Sequence, residues 1–135
     1  MHEKEEAARE IQRLLSHLES EGDKSLDDLK ACYNWASRCL VTAEEWELAA
    51  QIAKRATEIW DFGPNHWFLA VSLWAGRRDR EGALGALRDA ARDTRLSGRS
   101  DCRGLRDDFK RSSHFSDVQE DKDFLAAIEV AELGG

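Results

Sequence analysis

The sequence predicts an all-α fold, a single domain over residues 1–135 built as stacked antiparallel helical hairpins with seven or eight helices. Three observations predict it. The 135 residues include one proline and 35% charged side chains, so little in the chain breaks a helix. Apolar residues recur at the 3.6-residue helical period, and the polar stretches between these runs are short, which sets consecutive helices side by side. Finally, the chain overlies itself at an offset of 34 residues: Asp79 to Asp93 falls on Glu45 to Ile59, with Ala83 on Ala49, Glu81 on Glu47, Arg88 on Lys54 and Ala90 on Ala56. A fixed period of this length is the signature of stacked helical units.

The elements follow in chain order. Ile11, Leu14, Leu15 and Leu18 form one stripe of a first helix, about Glu3 to Glu19, which the ESEGDKS stretch ends. Ser25 with Asp28 has the spacing of a capping box and opens a second helix, to about Leu40; Thr42 with Glu45 has the same spacing and opens a third, to about Trp60. In DFGPN, Gly63 permits a turn and Pro64 suits the first turn of a fourth helix, Asn65 to Ala75. A fifth helix runs from about Asp79 to Arg92, TRLSGRS separates it from a sixth, about Asp101 to Lys110, Ser116 with Gln119 marks a short seventh, and Asp123 to Glu132 is the last. This divides the domain into an N-terminal helix (1–24), a first hairpin (25–60), a second hairpin (61–94) and C-terminal capping helices (95–135).

The fifth helix raises a physical question. It carries Gly82, Ala83, Gly85, Ala86, Ala90 and Ala91 where larger core residues are expected, and each interior glycine costs roughly 1 kcal/mol against alanine. A helix wedged between neighbours on both sides repays that loss through close backbone approach. In the stacked-hairpin repeat that this chain resembles, the second helix of each hairpin is wedged in this way, which implies that Ala83, Leu87 and Ala90 face the partner helix with Gly82 and Ala86 beside them; in a generic helical bundle they form an alanine-rich seam.

The period resembles the tetratricopeptide repeat, a 34-residue helix–turn–helix unit with the pattern W-x2-L-G-x2-Y, then A-x3-F, then P. Tyr33, Ala36, Ser37, Leu40, Ala49, Ala53 and Ala56 meet its spacing, and so do Trp67, Ala70, Val71, Trp74, Ala83, Leu87 and Ala90. The match runs from Ala31 to Asp93. It departs from the pattern at the Leu-Gly pair, at the second-helix aromatic and at the closing proline. The tail HFSDVQEDKDFLAAI is similar to the segment closing many bacterial arrays, with Phe115, Val118, Phe124 and Ile128 as its apolar cap and Lys122 in place of the usual proline.

Charge and cysteine content bound the function. The formal net charge is -7, with a pI near 5.1, which argues against general affinity for nucleic acid or an anionic membrane. The charge is uneven: 8 basic against 14 acidic residues up to Phe62, 11 against 7 from Arg77 to Arg111, and 1 against 6 thereafter. The middle of the chain therefore offers a basic surface to an acidic partner. Cys32, Cys39 and Cys102 contain no CxxC pair, which suggests neither a disulfide framework nor a zinc site. Cys32 and Cys39 are expected as small buried hydrophobes. With no apolar leader and no long apolar run, the expectation is a soluble cytoplasmic protein.

Catalytic motifs are missing from the sequence. His2, His17, His66 and His114 are scattered, and HExxH, GxSxG, P-loop and GxGxxG patterns do not occur. His66 is expected as a partly exposed structural residue at a helix start. No cofactor and no metal are expected; Asp27/Asp28, Asp107/Asp108 and the acids of QEDKD are read as solvated helix ends. Of five tryptophans, Trp67, Trp74 and Trp46 fit core positions, while Trp35 and Trp60 have no core role in the register: burial at a hairpin junction and exposure at a contact surface are both open to them.

The resemblance implies a non-enzymatic interaction module that holds a peptide segment of a partner, acidic on the charge argument, in the concave groove of the first helices. It implies Asn34, Arg38, Phe68 and Ser72 as groove residues, then Arg106 and Lys110 as the register continues. The carboxylate-clamp version of the family has lysine then asparagine where this chain has Asn34 and Arg38, so capture of a peptide C-terminus is not implied. Two other readings are an enzyme or small-ligand protein with a pocket around His66, Trp67 and Cys102, and a scaffold that self-assembles into homo-oligomers.

Overall fold

The structure, a computed structural model, describes residues 2–21, 26–96 and 108–133. Every regular element among them is helical: α1 (His2–Glu21), α2 (Leu26–Thr42), α3 (Trp46–Ile59), α4 (Gly63–Arg77), α5 (Arg80–Leu96), α6 (described over 108–111), a 3-10 turn (Ser113–Val118) and α7 (Lys122–Leu133). The all-α expectation is met. Consecutive helices from α2 to α5 pack against one another, α7 closes on α5, and α2 also touches α4. The described helices include none long and apolar enough to cross a membrane.

The ends of the helices show which local signals acted. Pro64 sits in the first turn of α4, where its missing N–H costs nothing. The Thr42/Glu45 box does not form. Thr42 belongs to α2 and its hydroxyl donates to the Arg38 carbonyl at 2.9 Å, while Glu45 flanks α3 without a side-chain cap bond. The chain turns instead through Glu44, at a left-handed φ of 60°. Arg78, 34 residues later, ends α4 in the same way at φ 51°. The expected Ser116 cap is replaced by Ser112, whose Oγ accepts from the His114 N–H at 3.2 Å, because the turn starts four residues earlier. Gln119 donates to the Phe109 and Phe115 carbonyls at 2.7 and 3.1 Å, which ties the turn to α6. α5 runs on past Arg92 to Leu96. Ser25 and the expected start of the sixth helix lie outside the described residues.

Two apolar clusters meet across α3. Leu15, Tyr33, Ala36, Leu40, Ala49, Ile52 and Ala56 join α1, α2 and α3; Ala50, on another side of α3, joins the larger cluster of α4, α5, the 3-10 turn and α7. The residues of the 34-residue register occupy matching environments, since Ala49, Ala53, Ala56, Ala83, Leu87 and Ala90 are all at most 2% exposed. The expected apolar cap is also in place: Phe115, Val118, Phe124 and Ile128 are buried, together with Phe109.

The glycines divide sharply. A Cβ on Gly76 would overlap the Cβ of Trp46, so the end of α4 crosses the start of α3 only because that side chain is missing. A Cβ on Gly82 would meet the carboxylate of Asp79, which accepts from the Gly82 N–H at 3.0 Å and caps α5, and would stand 3.0 Å from a methyl of Leu73. At Gly85 nothing lies within 4 Å. Close approach therefore accounts for Gly82 and not for Gly85.

Candidate interaction face

α2 and α4 lie side by side and carry four of the six expected groove residues. Asn34, on α2, donates from Nδ2 to Asn65 Oδ1 on α4 at 2.7 Å. Asn65 is fully buried and donates to the Trp60 carbonyl at 3.2 Å, which satisfies an amide that would otherwise be costly to bury. Asn34 is thereby an interhelix tie. Ser72 departs from expectation: it is fully buried and its hydroxyl donates to the Phe68 carbonyl at 2.8 Å within α4, so it offers nothing to a ligand. Arg38 is exposed and Phe68 half-buried. Lys110 is exposed on α6. Arg106 and Cys102 lie outside the described residues.

The exposed side of α2 carries Ala31, Trp35, Arg38 and Thr42, the i, i+4, i+7, i+11 spacing of a single helical stripe. Trp35 is 54% exposed. The Arg38 guanidinium has no partner among the described residues. Trp60 is instead half-buried, stacked on Phe62 at 4.0 Å between ring centroids, with the Lys30 ammonium 5.9 Å over its ring. Of the two tryptophans without a core role, Trp35 is the one that faces solvent.

Below this stripe the same helix is firmly anchored. Tyr33 is buried, and burial, followed by the neighbouring Glu19 carboxylate, pushes its phenol up to about 12. Arg55 on α3 holds Glu19 of α1 in place through Nε and Nη2 at 3.1 and 2.9 Å. Cys32 and Cys39 are half-buried and free, less enclosed than expected, because they flank the buried stripe of α2.

His66 is also unlike its expectation. It is buried, with Nε2 2.6 Å from Asp61 Oδ1, and Trp67 beside it packs on Phe115 at 5.4 Å. Clefts among the described residues lie elsewhere. One, of about 360 Å³, lies among Glu44, Trp46, Arg78 and His114, with the His114 ring edge-on to Trp46 at 5.0 Å. Another, of about 580 Å³, lies between α3 and α5, with Leu69 and Leu73 of α4 as its floor and Gly82, Gly85 and Ala86 on its α5 side. Among the described residues no three His, Cys, Asp or Glu side chains converge as a metal site would need. The expected groove did not include the α3–α5 cleft, although Gly85 was its sequence signal.

No family model, curated protein sequence or solved structure matches this chain. What the fold defines is a class, an all-helical stack with a solvent-facing tryptophan on one helix and an apolar cleft between two others.

Proposed function

We propose that this chain is a non-enzymatic protein-interaction module of two tetratricopeptide-like hairpins that binds an acidic peptide segment of a partner protein across the exposed side of α2 and its junction with α4. The observation that carries the reading is Trp35, 54% exposed one turn from the unpaired Arg38. Tryptophan and arginine are the residue types most enriched at binding hot spots, and seating an indole against a partner removes a large apolar area from water. Phe68 of the neighbouring α4 belongs to the same reading, Asn34 ties α2 to α4, and the repeat resemblance adds Lys110 and Arg106 as basic positions. The repeat reading draws support from the matched burial of positions 34 residues apart and from the left-handed residues Glu44 and Arg78 at the same offset. The odd number of cysteines, with no CxxC pair in the sequence, goes with a cytoplasmic setting.

The test is kinetic. A partner captured from native lysate is measured against wild type, Arg38→Glu and Trp35→Ala at low and high salt. Charge reversal at Arg38 is expected to slow association and flatten its salt dependence, because exposed charge acts in steering. Trp35→Ala is expected to speed dissociation about tenfold or more, because the anchor acts after docking. Unaltered affinity in both variants, with helicity intact, overturns the α2 face as the binding site.

A further inference from the structure

Gly85 lies in the interior of α5, where it costs roughly 1 kcal/mol against alanine, and no atom stands within 4 Å of the place its Cβ would occupy. No side-chain contact among the described residues repays that cost. The position opens onto the α3–α5 cleft of about 580 Å³, within the size range of roughly 300–1,000 Å³ that accommodates a large buried group. The floor is apolar; the α5 side carries Asp79, Glu81 and Asp89, and the opposite side carries Lys54 and Arg77, of which Arg77 is held by Glu47 at 2.6 Å. Asp89 is paired with Arg92 at 3.5 Å, whereas the Glu81 carboxylate has no partner among the described residues.

A complementary surface exists on the same molecule. Leu14 and Trp35 are the large apolar side chains exposed among the described residues. Beside Leu14, the Arg13 guanidinium is taken up by Glu10 at 3.2 Å. Beside Trp35, Arg38 is available. An indole that enters the cleft from α2 of another molecule brings a guanidinium to the acids of the α5 side, and a charge-assisted pair with Glu81 becomes possible.

We propose that the α3–α5 cleft is the docking site for the α2 face of a second copy of this chain, with Trp35 seated over Gly85 and Arg38 paired with Glu81. The proposal rests on the reading of α2 as a binding face and names its acidic partner. α2 contributes nothing to the lining of the cleft, so each molecule has one donor face and one acceptor face, and the chain associates with itself.

Sedimentation equilibrium from micromolar to millimolar protein tests this. The wild-type mass is expected to rise above that of the monomer with concentration. Trp35→Ala and Gly85→Leu are each expected to stay monomeric over the same range with unchanged helicity; the leucine Cβ enters open space on a helix that leucine favours. An equimolar mixture of the two variants is expected to associate, because one keeps its cleft and the other its tryptophan. A wild-type chain that stays monomeric, or variants that fail to complement, overturns the proposal, as does association abolished by Leu14→Asp and untouched by Trp35→Ala. A foreign acidic protein held by Gly85→Leu and lost by Trp35→Ala would preserve the proposed function while self-docking fails.

Discussion

At the residue scale the chain places its polar groups by what reaches them from other helices. Tyr33 is the only tyrosine, so the ultraviolet absorbance of its phenolate reports on one site. Its folded pKa of about 12 lies above the ordinary value near 10, and the fold therefore favours the protonated phenol. That contribution to stability is complete below pH ~10 and is lost as pH rises through about 12. The native protein is expected to titrate near 12 and the denatured chain near 10, with Glu19→Gln drawing the native value down. A native midpoint at the ordinary value would place the hydroxyl in water. The repeat register identified Tyr33 as a core aromatic. It could not identify Glu19 as its neighbour, nor Asn65 as the partner of Asn34 31 residues away, because helix packing sets both.

At the element scale the small residues of α4 and α5 do different work although they look alike in sequence. Gly76→Ala is expected to destabilise by about 1–3 kcal/mol through overpacking against Trp46. Gly85→Ala is expected to stabilise by about 0.5–1 kcal/mol, since the methyl gains helix propensity and meets nothing. Thermal unfolding of the two variants decides this, and shifts of the same sign would contradict it. Gly82→Ala falls between them, because its methyl disturbs the Asp79 cap. The expected need for close packing in α5 was right for Ala83, Leu87 and Ala90, which are buried. The glycine whose absent side chain matters most lies in α4, where the spacing of apolar residues carries no sign of it.

At the scale of the whole molecule, Phe109 of α6, the 3-10 turn and α7 seal the larger core. Phe124 lies 5.2 Å from the Trp74 ring, and with Phe109 and Phe115 it forms a fully buried aromatic group. Arg80 reaches Asp121 and Asp123 at 2.8 Å across the surface. Phe124→Ala is expected to cost about 3–5 kcal/mol and to lower the unfolding midpoint. Arg80→Ala is expected to cost far less, as the loss of exposed ion pairs does. Denaturant titration separates the two, and equal losses would mean that α7 is held by charge rather than by the aromatic cluster.

By itself the sequence determined that this protein is helical, where most of its helices run, which alanines line the seam and that its last segment carries an apolar cap. Those properties depend on propensity and on spacing within one helix, and such terms act over a few residues. Tertiary structure alone decided that Ser72 is sealed inside α4, that Asn34 ties α2 to α4, that Trp35 rather than Trp60 meets solvent, and that Gly85 opens a cleft while Gly76 permits a crossing. Each of those outcomes depends on the distance between helices, which is set when many apolar contacts pack at once and is written in no single stretch of chain.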